Sequence, residues 1–581
     1  MIKFNYFFTI FLFIGISTTS IAQSWKQIGA DIDGEAAYDE SGISVSLCSD
    51  ASVLAIGAYK NDGNGSNSGH VRIYQNNAQT WTQIGADIDG EAEDDRFGCS
   101  VSLSSDGLIL AAGAFRNDGN GMTSGHVRIF ENNSGTWTQI GDDIDGEAAD
   151  DNSGIAISLN SDATIVAIGA SWNDGNGDAA GHVRIFENNS GTWTQVGVDI
   201  DGEAVGDRFG KSVSISSDGS IVAIGAPKND GSGDDAGTVK VYQNNAGTWI
   251  QIGDNIDGGT ANDYSGWSVS LSSDGSTVAI GAPNNDAGSV SIYENNDGTW
   301  TQIGEDINGE AAGDNSGKAI SLSSNGSIIA IGAMYNNGSG NDAGSVRIYE
   351  NNSGTWTQIG ADIDGEAAYD RSGYAINLSS DGSSVAIGAY ENDENGTDAG
   401  HARVFNCPTP TITTQPQSFE NVILGTDVTF LVETEESDLA FQWRKDEIYL
   451  TDGGNINGTL TNELTITSVS NNDAGTYDCI VTDCREIISD DAVLSIFVGI
   501  NDLSKNGILI YPNPTNERFN IECVDNNIRK IIISDIIGKT IINKTTIHQK
   551  EAIDLSGYES GIYLIHIQTD EGMFISKIIK R

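Results

Sequence analysis

The residues FGCSVSLSSDGLILAAGAFRNDGNGMTSGHVRIFENNSGTWTQIGDDIDGE (97–147) decide the fold, because the chain from 25 to 406 repeats them with variations. Ser100 to Ser104 alternates with period two, Leu108 to Ala114 runs small and apolar, His126 to Phe130 alternates again, and Trp137 to Ile140 closes the set. Alternation places every second side chain on one face of a sheet, and a short apolar run suits a strand covered on both faces. Ser105-Asp106-Gly107 separates the first two segments and Asn132-Asn133-Ser134-Gly135 the last two, hairpin chemistry in which Gly supplies positive φ. Four antiparallel strands are predicted for the stretch.

Tryptophan gives the period. Trp25, Trp81, Trp137, Trp193, Trp249, Trp300 and Trp356 are 56, 56, 56, 56, 51 and 56 residues apart, each in a WTQIG-like segment. Seven repeats of four strands describe a seven-bladed β-propeller over residues 23–406. After Trp356 come three more strand-like segments (375–378, 384–389, 401–405) and no further Trp segment. The segment at Trp25 is therefore expected to supply the missing strand of the last blade, so that the chain ends close the ring and leave no open sheet edge.

The 581 residues include 82 Asp and Glu, 29 Lys and Arg, 71 Gly and 6 Cys, with a net charge of −53. Residues 23–406 hold 56 acids and 15 bases, while residues 500–581 hold ten of each. Phosphate binding needs clustered Lys and Arg, so nucleic acid is excluded as a partner, and anionic membrane is disfavoured. Lys3, the apolar run from Phe7 to Ile16 and the small residues Ser20 and Ala22 predict a cleavable signal peptide over 1–22, too short to span a bilayer, with no later segment of membrane length.

Beyond Cys407 the texture changes. Pro408, Pro410 and Pro416 mark a linker, followed by apolar alternation around Val428, Trp443 and Leu464 and by Asp473-Ala474-Gly475-Thr476-Tyr477-Asp478-Cys479. Residues 407–499 thereby resemble an immunoglobulin-like sandwich, which implies Trp443 as its core tryptophan and Tyr477 as a tyrosine corner. Phe430 stands where that resemblance would place a partner for Cys479. A Cys479–Cys484 bridge is the expectation, with Cys407 a competitor for either, while Cys48, Cys99 and Cys523 stay unassigned.

The repeats carry Arg96-Phe97-Gly98 followed by Gly113-Ala114, and most fully Phe209-Gly210 with Gly225-Ala226-Pro227. They resemble the FG-GAP repeats of integrin alpha propellers. Calcium loops of that family lie between the first two strands, where this chain has only a Ser-Asp-Gly turn, so those sites do not carry over. In residues 500–581, Tyr511-Pro512-Asn513-Pro514, Gly538-Lys539, Gly561-Ile562-Tyr563 and the terminal Lys577-Ile578-Ile579-Lys580 occur in order. This segment is similar to the small C-terminal β-sandwich sorting domain of type IX (Por) secretion cargo. The resemblance implies passage through the outer membrane by that machinery and release or anchoring at the cell surface.

The acidic loops are the candidate cation sites. Those leading into each blade read Asp31/Asp33/Glu35/Asp39, Asp87/Asp89/Glu91, Asp143/Asp145/Glu147 and onward. Those between second and third strands carry Asp62/Asn64, Asp118/Asn120 and Asp174/Asn176. Strand connections alternate sides, so both sets crowd one rim. Alternating carboxylate and amide oxygens around Gly suit Ca²⁺, and the same pattern is ordinary turn chemistry, the reading that the bare residues favour. His70, His126, His182 and His401 share one repeat position with Thr238, Ser289 and Ser345, and read as structural because equivalent residues are spread around a ring. The repeat tryptophans read as covers for the joints between blades. No GxSxG, HExxH, CxxC or phosphate-cradling loop is present, and paired carboxylates occur in every repeat, so no catalytic residue is singled out. The expectation is an exported, cell-surface or secreted adhesion protein that binds a protein or glycan on its acidic loop face. The alternatives are a polysaccharide-active enzyme or a structural surface-layer component.

Overall fold

The structure, a computed structural model, describes residues 25–407, 409–437, 439–497, 503–524, 526–570 and 572–581. The expected signal peptide lies outside them. Described secondary structure is all strand apart from two 3₁₀ turns, Asn471–Asp473 and Leu503–Asn506, and no described helix is long and apolar enough to cross a membrane. The chain forms two compact units, one reaching Thr409 and including Asp483–Arg485, the other Pro410–Thr482 with Glu486–Arg581.

In the first unit, seven five-stranded sheets follow one another as the blades of a propeller. The second blade contains Phe97–Leu103, Ile109–Ala114, His126–Asn132 and Trp137–Gln139 in antiparallel order. Its fifth strand, Ile144–Asp145, lies in what reads as a loop. The tryptophan strand pairs only with Phe130–Asn132, so the edge at His126 and Val127 stays open for Asp145 and Ile144, and Ile144 is buried there. First strands of successive blades touch one another and line the axis.

The ring is closed by the first and last segments of the propeller. Lys26 and Gln27 pair with Asn406 and Phe405, and Ile32 and Asp33 with Ala402 and His401, which completes the seventh blade. Two circles of hydrogen bonds run through all seven blades without a gap. In one, backbone N–H groups donate from Ser49 to Ser105, then on through Ser161, Ser217, Ser273, Ser324 and Ser380 back to Ser49, at 2.8–3.1 Å. In the other, each repeat indole donates to a backbone carbonyl of the preceding blade: Trp81 to Ile28 at 2.9 Å, and across the seam Trp25 to Ile359 at 3.0 Å.

The glycine motif has a steric cause. Gly154 has φ +86°, and a Cβ on Gly113 would lie 2.1 Å from the Gly154 carbonyl oxygen, so two backbones meet where blades two and three join. Ser100 Oγ donates to that carbonyl at 2.7 Å.

In the second unit, Trp443, Tyr477 and Phe430 lie fully buried between the two sheets of the immunoglobulin-like sandwich. The Tyr477 hydroxyl donates to the Asp473 carbonyl at 2.6 Å, the expected tyrosine corner. Phe430 stacks on Tyr477 with ring centres 4.8 Å apart. The expected Cys479–Cys484 bridge is not formed. Cys484 is bonded to Cys407, 77 residues earlier, with Cα atoms 5.1 Å apart. Cys479 sits on Gly475–Thr482 opposite Trp443 and is enclosed in the sandwich core as a free thiol, whereas Cys484 lies beyond that strand's end.

The sorting segment packs a three-stranded against a four-stranded sheet around Phe519, Ile521, Ile531, Ile533, Ile565 and Ile567. In its Tyr511-Pro512-Asn513-Pro514 motif, Asn513 Nδ2 donates to the Lys577 carbonyl at 2.7 Å and Oδ1 accepts from Ile579 N–H at 3.0 Å, tying the motif to the final strand. Gly561, Ile562 and Tyr563 open the strand beside it, and Tyr563 is buried with its hydroxyl donating to the Glu559 carbonyl.

Candidate functional site

The two acidic loop sets do share one rim. Asn64 Nδ2 donates to the Gly90 and Glu91 carbonyls at 2.9 and 3.1 Å, and Asn120 and Asn176 repeat the contact on later blades. Asp62, Asp118 and Asp174 each accept a backbone N–H five residues on, at 2.8 Å. The aspartates therefore build their own turns, and the asparagines tie one loop set to the other. Asp39 is buried as well, accepting from Ala36 N–H and Asn61 Nδ2 at 3.0 Å each.

The glutamates of the inter-blade loops face cations that the motif reading did not single out. Arg128, buried on the third strand of blade two, donates through Nη2 to the Asp89 carbonyl at 2.6 Å and stands 3.7 Å from Glu91. Arg72 does the same with Asp33 and Glu35, and Arg184 with Asp145 and Glu147. Lys240 pairs with Glu203, while Ser291 replaces the cation in the fifth blade and hydrogen-bonds Asp306 instead. Each Arg or Lys pair joins consecutive blades, whereas the Ser291–Asp306 bond stays within the fifth. The signal was present as a basic residue two positions after each rim histidine.

The four rim histidines are buried beside carboxylates. Three junctions gather Glu35/His70/Asp87, Glu91/His126/Asp143 and Glu147/His182/Asp199, and the fourth gathers Asp31/Glu366/Glu394/His401. Burial pushes each imidazole down to about 4, so it is neutral at neutral pH. In the last group Asp33 and Asp31 push the Glu394 carboxyl up. Of the expected calcium ligands, Asp31, Glu35, Asp87, Glu91, Asp143 and Glu147 are thus brought together with a histidine, whereas Asp62, Asp118 and Asp174 hold their own turns and Asn64, Asn120 and Asn176 donate to the facing loop.

Inside the acidic rim the character reverses. The residue after each first-strand glycine lines the axis, and in four blades it is Lys211, Trp267, Lys318 and Tyr374. The Lys318 ammonium lies 4.0 Å from the Trp267 ring centre and 5.2 Å from that of Tyr374, and Lys211 lies 5.2 Å from Trp267. Burial, with Lys211 as neighbour, pushes Lys318 down to about 7. Among the described residues neither ammonium has a carboxylate within ion-pair distance. Around this mouth, Arg96 stacks over Tyr59, Arg208 over Trp172 and Arg371 over Tyr335, each pair joining adjacent blades. Charge totals hid this centre, because 15 bases among 56 acids read as diluted rather than collected.

Comparison with known proteins agrees with this architecture. The FG-GAP repeat family matches residues 86–130, 198–242 and 257–293, the immunoglobulin domain family 409–483, and the secretion system C-terminal sorting domain 509–581. None of these is a catalytic domain. Among curated proteins, none matches the chain. A proposed 6-phosphogluconolactonase from Bacteroides uniformis is similar over 56% of this chain and 85% of its own, at 13% identity and a TM-score of 0.41. TolB from Acinetobacter baumannii is similar over 61% and 80% (12% identity, TM-score 0.32), and the Dos1 propeller over 66% and 95% (13%, 0.35). Nothing about activity follows from likenesses at this level. The chain carries FG-GAP repeats, an immunoglobulin-like domain and a type IX sorting domain, and is exported by that route to the cell surface or the medium.

Proposed function

We propose that the protein is an adhesion protein whose propeller binds an extracellular protein or glycan at the loop-bearing face. The observation that carries this reading is the centre of that face. Trp267 and Tyr374 offer ring surfaces, and Lys211 and Lys318 offer amino groups that lie beside those rings with no carboxylate within ion-pair distance among the described residues. Aromatic rings beside polar handles are the usual anchors of recognition surfaces. Exposed acidic loops around the mouth exclude anionic partners from the rim and admit them only at the axis.

The test is a binding screen of the full-length protein against immobilised glycans and extracellular proteins, paired with an assay for new reducing ends. Binding without turnover, weakened at least tenfold in Trp267→Ala, supports adhesion. New reducing ends, or binding indifferent to Trp267→Ala and Lys318→Ala, overturns it.

A further inference from the structure

The seam of the ring holds a four-residue group of which the inter-blade ion pair of Arg403 with Glu366 accounts for only one member. His401 opens the third strand of the seventh blade, is 1% exposed, and its Nδ1 has no hydrogen-bond partner. That nitrogen faces Asp31 Oδ2 and Glu366 Oε2 at 3.9 Å each. Glu394 completes a set whose ligand atoms all lie within 4.8 Å of one another. The carboxylates are held in aim. Gln27 Nε2 donates to Asp31 Oδ1 at 2.6 Å, and Arg403 Nη1 holds Glu366 Oε1 at 3.3 Å, so each carboxylate turns its other oxygen to the imidazole. Outer partners that fix the orientation of each ligand are how proteins build metal sites. The buried His401 nitrogen without a hydrogen-bond partner is costly to leave unsatisfied.

We propose that Asp31, Glu366, Glu394 and His401 bind one divalent transition-metal ion, Zn²⁺ by donor chemistry, which clasps the N-terminal strand to the seventh blade. An imidazole nitrogen among carboxylate oxygens suits Zn²⁺, whereas Ca²⁺ takes oxygen ligands alone. Bonds of about 2.0–2.2 Å put tetrahedral ligands ~3.4 Å apart, so the 3.9 Å spacings of Asp31 and Glu366 from His401 close with a shift of about half an ångström, and the widest spacing in the set, at most 4.8 Å, with one of up to about 1.4 Å. The Glu366 side chain is 40% exposed and Glu394 lies on an exposed loop, so both are free to make it. Asp31 comes from the first segment of the domain and the other three from its last, so the ion spans the one joint of the ring that no loop connects. The groups at His70, His126 and His182 have three members each, and so bind more weakly.

The full-length protein, stripped with EDTA, is titrated with ZnCl₂ by calorimetry, and hydrogen exchange is followed over Lys26–Asp33. The expected result is one tight site, slower exchange at 26–33 when Zn²⁺ is bound, and loss of that site in His401→Ala. Glu394→Gln, on an exposed loop where folding does not depend on it, weakens the site about tenfold. Zn²⁺ affinity unchanged in both variants, Ca²⁺ competing equally well, or exchange indifferent to Zn²⁺ overturns the proposal.

Discussion

Arg128 shows how one side chain joins two blades. It is 7% exposed, and its guanidinium satisfies the Asp89 carbonyl of the preceding blade junction while standing beside Glu91. Arg128→Ala leaves that carbonyl without its donor and is expected to cost about 2 kcal/mol in urea unfolding. Arg128→Lys recovers part of this, since an ammonium lacks the planar fork. In the sorting domain, Lys544, Thr546 and His548 hold the Glu551 carboxyl down from its ordinary 4.5 to about 2. The unfolded chain takes up this proton first, so the contribution is whole above pH 4.5 and is lost as pH falls toward 2. Glu551→Gln is therefore expected to flatten the acid limb of the stability curve in that window, and an unaltered limb would contradict the assignment.

At the scale of the element, the blade is set by close backbone approach. Gly154→Ala puts a Cβ at positive φ, 2.6 Å from the His126 carbonyl oxygen, and is expected to cost more than about 1 kcal/mol, seen as a lowered Tm. In the sandwich, Phe430 fills the space between Trp443 and Tyr477, so Phe430→Ala is expected to cost about 3–5 kcal/mol. Much of this was legible in the residues alone. The tryptophan period fixed the number of blades, the lone Trp25 segment predicted the closing strand, and Phe430 marked the missing cysteine. Ile144–Asp145 was not legible as a strand, because two residues carry no periodicity and pair only where a neighbour leaves an edge open. The histidine clusters stayed hidden for a related reason: each unites side chains from two consecutive repeats, a juxtaposition that exists only once blades stack. The Cys407–Cys484 pairing depends likewise on geometry that no spacing reveals.

For the whole molecule, the net charge of −53 resolves into parts with different work. Acidic loops form the outer rim, their glutamates hold the next blade, and Lys211 and Lys318 lie at the axis with aromatic rings. That division depends on a closed ring, because an open one would separate the seventh blade from the first and break both circles of hydrogen bonds. Hydrogen exchange by mass spectrometry on a chain lacking residues 23–33, set against the full-length protein, tests closure most directly. The predicted result is loss of protection over His401–Asn406, spreading to the seams on either side of the seventh blade, while the middle blades stay protected. Full protection of His401–Asn406 in the shortened chain would contradict the closed ring and the clasp placed on it.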